Sequence, residues 1–373
     1  MIPVTKPYLP SREKLDKYID GIYERNWLTN NGPLVQELTD LLQQYLGVEN
    51  LLLVANGTLA LQIAYHALGI NHPVNGKPAE AITTPFTFIA TASSLKWGGV
   101  EPVFADIDQK TWCLDPNNIE AAITSSTRSI VPVHVFGNVC NVEAIDAIAQ
   151  KHSLKVIYDA SHGFGVKYKG ESLLKHGDAA TLSFHATKLF HTVEGGAIVF
   201  KHREDLERAK KMINFGITGP GTIETLGINA KMNEFQAAMG LCVLDEIEGN
   251  LNARSTLWTY YERELKSIVE LQNRNKAISY NYAYFPAVFK TEIQATAVSN
   301  VLKEKGVLVR RYFYPSLESV AIFGTQHECP VSSDLASRIL CLPLYYSLTH
   351  SAQVRLLKII KDCCLSFRSV EIL

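Results

Sequence analysis

The chain has 373 residues, 47% of them apolar and 20% charged, with 36 Lys plus Arg set against 37 Asp plus Glu. A net charge of −1 leaves no basic footprint for nucleic acid, no apolar run nears the ~20 residues that span a bilayer, and the start MIPVTKPYLPSRE lacks the apolar stretch of a signal peptide. One large domain plus a smaller one is expected, in the cytoplasm, with the seven scattered cysteines as buried free thiols and neither nucleic acid nor membrane as partner.

In chain order, VQELTDLLQQYLG reads as an amphipathic helix stopped by Gly47. LLLVA (51–55) is a buried strand, NGTLALQIAYHALG a helix, EAITTP a strand, TFIATASSLKWGG a helix and EPVFADI a strand. SIVPVHVFG (129–137), VEAIDAIAQKHS and LKVIYD (154–159) repeat the alternation. Such βαβ units require parallel strands with helical crossovers on both faces, and ligands collect beyond the carboxyl ends of those strands. Past Val199 a loop rich in Gly and Thr, NFGITGPGTIETLGINAKM, leads into one long helical stretch from about Asn233 to Val269. Strands and helices then alternate more loosely from about 275 to a last helix beginning near Ser351. The expected division is 1–245, an N-terminal segment with the large domain, and 246–373, a small C-terminal domain.

The chemistry-bearing residues gather at predicted strand ends. LKVIYD ends in Asp159, which is either a helix cap or an acid that holds a positive charge on a ligand. LLLVA runs into Asn56-Gly57-Thr58 at a helix start, which is either a cap or a phosphate cradle of free backbone N–H groups. Phe86 and Phe88 follow another strand and serve either the core or a flat ring. SFHATKLFHTVEGGA sets Lys188 among small polar and aromatic residues before a glycine turn, an uncommon place for a lysine.

A phosphate cradle, a ring platform, a terminal carboxylate and a secluded amine at one sheet edge together match pyridoxal 5′-phosphate. Asp159 would keep the ring nitrogen protonated, so that the ring can accept electrons. Seclusion would lower the pKa of Lys188, making it a nucleophile and then a proton carrier.

With these motifs in order, the sequence resembles the fold-type I, pyridoxal-phosphate-dependent sugar-nucleotide aminotransferases of the DegT/DnrJ/EryC1/StrS family. The resemblance runs through WLTNNGPLVQELTDLLQQYLGVENLLLVANGTLALQIA, TPFTFIATASSLKWGGVEPVFADID, VHVFGNVCNVEAIDAIA, VIYDASHGFG, SFHATKLFHTVEGGA, GINAKMNEFQAAMG, VRRYFYPSL and LPLYYSLT. It implies an α/β fold, a large domain with a mostly parallel sheet flanked by helices and a smaller C-terminal α/β domain. Lys188 would condense with the cofactor aldehyde, Asp159 would hold the pyridine nitrogen, and His162 would lie near the ring hydroxyl. Phe88 would stack on the ring, and Gly57, Thr58 and Ser183 would bind the phosphate. Asn229 would reach the phosphate from a neighbouring subunit, making a homodimer with shared active sites.

The resemblance also implies an amino transfer from L-glutamate to a nucleotide-linked keto sugar, with the cofactor passing through pyridoxamine 5′-phosphate. Retention of Lys188 argues against the branch that carries histidine there and dehydrates its sugar. F-H-x-T-K followed by E-G-G resembles members that aminate the 4-keto carbon, here dTDP-4-keto-6-deoxy-D-glucose, in surface-polysaccharide synthesis. A 3-aminotransferase on a dTDP-3-keto-6-deoxy sugar and a non-catalytic sugar-nucleotide-binding paralogue are the alternatives. Lys6, Thr29, His185, Arg310, Arg311 and Tyr312 are candidates for substrate contact, Arg because its planar fork matches phosphate oxygens. No metal is expected.

Overall fold

The computed structural model describes residues 1–324 and 328–370. Seven strands form its central sheet: β1 (Leu51–Val54), β2 (Ala79–Thr83), β3 (Val100–Phe104), β4 (Thr127–Val131), β5 (Lys155–Asp159), β6 (Ala179–Ser183) and β7 (Gly196–Phe200). Their order is β1-β7-β6-β5-β4-β2-β3. All neighbours pair in parallel except β7, which runs against both β1 and β6. Strands such as LLLV and GAIVF are buried along their whole length, as expected of a sheet covered on both faces.

Helices supply the covering layers. They are α1 (Arg12–Arg25), α2 (Pro33–Leu46), α3 (Gly57–Ala67), α4 (Ala90–Trp97), α5 (Val142–His152), α6 (Arg203–Met212) and α7 (Glu234–Asp245). Two apolar clusters lie against the sheet. One contains Leu38, Leu42, Phe86, Ile130, Tyr158 and Phe184, and the other Leu61, Ile63, Tyr65, Ile157, Ile198 and Leu206.

The alternation expected between residues 35 and 200 is present, with shifted ends. The strand expected over 129–137 stops at Val131, because Pro132 has no N–H for the ladder. A single parallel bridge then brings Val133 beside Asp159. The one long helix expected over 233–269 is two, α7 and α8 (Ile247–Leu265), separated at Glu246 with φ −107°. Neither Gly nor Pro stands at that break. Tertiary contacts do: the Glu246 carboxylate accepts a hydrogen bond from the Tyr8 hydroxyl at 2.7 Å and lies 3.3 Å from Lys14 Nζ.

Beyond the break, β8 (Phe285–Val288) and β9 (Ile339–Leu342) pair antiparallel. With α8, α9 (Glu292–Glu304), α10 (Pro330–Arg338) and α11 (His350–Val370) they form a C-terminal α/β unit. Trp258, Tyr261, Phe285, Val298, Leu302 and Ile360 share that unit's apolar cluster. The first residues of the chain join it too: Ile2 bridges Val307 in parallel, and Leu344 N–H donates to the Val4 carbonyl.

One long-range contact fixes the entrance to α2. Its N-cap, Gly32, has no side chain to satisfy the first N–H groups. Glu234, fully buried at the start of α7, does so instead: its two carboxylate oxygens accept from Leu34 N–H and Val35 N–H, each at 3.0 Å. Replacing Glu234 with alanine strands both donors in a dry interior. The expected loss is about 2–4 kcal/mol of stability, read as a lower denaturant midpoint at unchanged slope. A midpoint equal to wild type would show that these bonds do not hold α2 in place.

Candidate active site

The carboxyl ends of β1, β5 and β6 open into one cavity of about 310 Å3, of a size that suits a small molecule. Its walls include Gly57, Thr58, Phe88, Asp159, His162, Ser183, His185, Lys188, Arg310 and Tyr312. Lys6, Thr29 and Asn229 are exposed and lie outside this chain's lining. Arg311 is outside it as well. A larger groove of about 990 Å3 between α2, β1 and α6 contains none of these groups.

At one end stands the N-terminus of α3. Asn56 caps it, accepting from Leu59 N–H at 2.9 Å, which leaves the Gly57 and Thr58 N–H groups at the cavity. The cap reading of Asn56-Gly57-Thr58 therefore holds, and it is compatible with a cradle at the same turn. A Cβ on Gly57 would stand 2.8 Å from Ser183 Cβ, and one on Gly196 would stand 2.7 Å from the Asn56 carbonyl. The two glycines let β1, β6 and β7 close up until Ser183 faces the helix start. Free N–H groups, a helix dipole and two hydroxyls make this end an anion seat.

Asp159 lines the same cavity and is buried. Thr91, in the first turn of α4, donates its hydroxyl to Oδ2 at 2.8 Å, and Ser161 N–H donates to Oδ1 at 3.0 Å. Thr87 lies 2.9 Å from Thr91, so the single Thr91 proton is directed at the carboxylate while Thr87 satisfies its oxygen. Each carboxylate oxygen keeps a lone pair for a donor in the cavity.

His162 is buried and stacked within 4° of the planes of both Phe136 and Phe313. Its Nδ1 accepts from Phe136 N–H at 3.1 Å, which leaves the proton of the neutral ring on Nε2. Burial and then Lys188 hold its pKa well below the ordinary value.

Lys188 sits in a loop pinched at its neck. Phe184 N–H donates to the Gly195 carbonyl at 2.8 Å, and Thr192 N–H to the Phe184 carbonyl at 3.0 Å. A turn from Lys188 N–H to the His185 carbonyl sets the side chain inward. Among the described residues no carboxylate lies within 4.0 Å of its amine. The hydroxyl of Tyr284 is its hydrogen-bond acceptor, at 3.5 Å. Burial lowers the pKa of Lys188 from 10.5 to about 8, with Asp159 opposing the shift and Arg310 adding to it.

Sequence reasoning missed Tyr284, Phe313, Thr87, Thr91, Ser161 and Glu194. Tyr284 and Phe313 come from the C-terminal unit, and no spacing links them to Lys188. Thr91 left one trace, a polar residue in the helical stretch TFIATASS that is fully buried in the fold.

A model of the DegT/DnrJ/EryC1/StrS aminotransferase family matches residues 11–361. The chain is 41% identical over 354 residues to dTDP-4-amino-4,6-dideoxy-D-glucose transaminase of Shigella dysenteriae, covering 93% of this chain and 94% of that protein. It is 36% identical over 369 residues to the Escherichia coli protein of the same name, covering 96% and 98%. Among solved structures, DesI in the presence of its TDP-sugar product matches with a TM-score of 0.92 at 31% identity, over 100% of this chain and 95% of that one.

The position of Lys188 sets a pH dependence. A pKa of about 8 makes the amine neutral above pH 8, where an ordinary lysine is still charged. Borohydride trapping of pyridoxal phosphate on the apoprotein should therefore speed up through pH 8 and level off by about pH 9. A rate still climbing toward pH 10.5 would place the amine in water. The same shift makes the unfolded chain bind more protons than the folded one between pH 8 and 10.5, so its contribution to stability rises with pH across that window.

Proposed function

The chain belongs to the DegT/DnrJ/EryC1/StrS aminotransferase family, and we propose that it moves the amino group of L-glutamate to the 4-keto carbon of dTDP-4-keto-6-deoxy-D-glucose. The products are dTDP-4-amino-4,6-dideoxyglucose and 2-oxoglutarate, and the cofactor is pyridoxal 5′-phosphate. The observation that carries this reading is the single cavity with an anion seat, a buried carboxylate and a depressed-pKa amine on its wall.

The residues fit the cofactor. The cradle between α3 and Ser183 would hold its phosphate, and Asp159 its ring nitrogen. Phe88, 49% exposed on the cavity wall, would cover a ring face, and the Nε2–H of His162 would donate to the ring oxygen. When bound, the cofactor supplies a carbonyl that accepts an amino group and a protonated ring that draws electrons from the neighbouring carbon.

Everything else falls to side chains of this chain. Lys188 Nζ, its pKa lowered to about 8 and so largely uncharged only above that pH, would bind the cofactor. Once freed by the donor, it would take the proton from the donor Cα and deliver it to the cofactor's carbonyl carbon, the second atom along, and would carry a proton the opposite way for the sugar. The Tyr284 hydroxyl orients that amine through the 3.5 Å contact. Asp159, fixed from behind by Thr91 and Ser161, would turn its free lone pairs to the ring nitrogen. Proton transfer by a positioned group is worth ~10²–10⁴-fold, and Lys188→Ala removes the anchor as well. That variant should show no measurable turnover and no borohydride-sensitive absorption band. Wild-type incubations with dTDP-, UDP- and GDP-linked 4-keto-6-deoxy sugars and glutamate should place nitrogen on C4 of the dTDP sugar by NMR. Nitrogen on C3, or turnover only of another nucleotide, would overturn the assignment.

The reading includes a homodimer with shared sites and a domain division near residue 245. Two observations favour the dimer. Asn229 is exposed and absent from its own chain's cavity. The preceding segment carries Ile223 and Leu226 at 72% and 82% exposure beside the half-exposed Phe215, Ile217 and Ile228, an apolar strip suited to another protein surface. Mixing Lys188→Ala with Asn229→Ala subunits should restore activity near one quarter of wild type, since one site per mixed dimer is then intact. Mixtures no more active than either parent would mean that each site is built from one chain.

A further inference from the structure

We infer that Arg310 is a shared anion anchor, pairing with a carboxylate of the amino donor in one half-reaction and with the sugar-nucleotide diphosphate in the other. This rests on the reaction proposed above. The nitrogen leaves one substrate and reaches the other in the same cavity, so both occupy it in turn, and both carry anions that must be paired once water is excluded.

The cavity has one group for that task. Apart from Lys188, Arg310 is the only Lys or Arg in its lining among the described residues. It makes no ion pair there. Neither carboxylate in the lining lies within 4.0 Å of its guanidinium: Asp159 is held by Thr91 and Ser161, and Glu194 stands 3.7 Å from His185. The Arg310 backbone is bonded in both directions to Cys341 beside β9, with Arg310 N–H to the Cys341 carbonyl at 3.3 Å and the reverse bond at 2.7 Å. Its guanidinium lies 4.6 Å from the centre of the Tyr312 ring, which packs edge-on to Tyr284. The fork is thus held over the Tyr312 ring, whose edge-on neighbour Tyr284 meets the amine of Lys188. It is close enough to lower that amine's pKa.

Arg311 is the internal control. It lies over Tyr314 at 3.5 Å and donates to Glu292 at 2.7 Å and to the Ser337 carbonyl. Adjacent residues on an extended segment face opposite ways, so one arginine joins α9 to α10 while its neighbour is left free in the cavity.

The test uses the holoenzyme with two unreactive probes, glutarate for the donor and dTDP for the nucleotide. With wild type, each should bind by calorimetry and each should exclude the other. Arg310→Gln should weaken both by about tenfold or more, the scale of a lost charge-assisted hydrogen bond. Arg310→Lys should fall between, keeping the charge but not the fork. An unchanged visible band and melting temperature would show that the variants are folded and loaded; if Arg310→Gln fails that check, Arg310→Lys decides. Weakening of one probe only, or simultaneous binding of both to wild type, overturns the shared anchor while leaving the proposed reaction intact. Failure of wild type to bind either probe would overturn the proposed reaction and, with it, this role of Arg310.

Discussion

An amine loses its proton well below the ordinary lysine range only where water is scarce and no carboxylate is close enough to hold that proton. The structure meets both conditions at Lys188. Its loop is closed at the neck by backbone bonds between Phe184, Thr192 and Gly195, and its nearest polar partner is a neutral phenol. Asp159 lines the same cavity but is engaged from behind by Thr91 and Ser161. An acid and an amine thus share a small space without collapsing into an ion pair, which would leave the carboxylate unavailable to a ring nitrogen and the amine unable to attack.

The sheet makes this separation possible. β1, β5 and β6 run parallel in direction, so their carboxyl ends deliver the α3 cradle, the carboxylate and the lysine loop to one edge. Reversing β7 returns the chain from that edge at Gly196, where the missing side chain admits the Asn56 carbonyl. The close fit of these turns brings Ser183 to the start of α3 at the edge where Asp159 stands.

The C-terminal unit completes the wall and also supports it. Tyr284, Arg310, Tyr312 and Phe313 all come from beyond the helix break at Glu246. On α8, Asn250 donates to the Leu189 carbonyl next to Lys188, Arg254 to the Ala283 carbonyl and Trp258 to the Tyr284 carbonyl. One buried helix face therefore grips the backbones of both the lysine and the tyrosine that meets it.

Sequence alone determined what depends on near neighbours along the chain. The alternating apolar runs and glycine stops gave the α/β order, and the strand-end positions of Asp159, Gly57-Thr58 and Lys188 marked the cavity edge, because a parallel sheet must send its ligands there. Tertiary structure decided the rest. Why the helix breaks at Glu246 and which phenol meets Lys188 depend on partners 238 and 96 residues away, and which of two adjacent arginines faces the cavity depends on the packing of α9, α10 and β9 around them. So does the placement of Lys6, Thr29 and Asn229 outside this chain's cavity. Local spacing carries no record of such contacts, since packing brings them together only after the chain has folded.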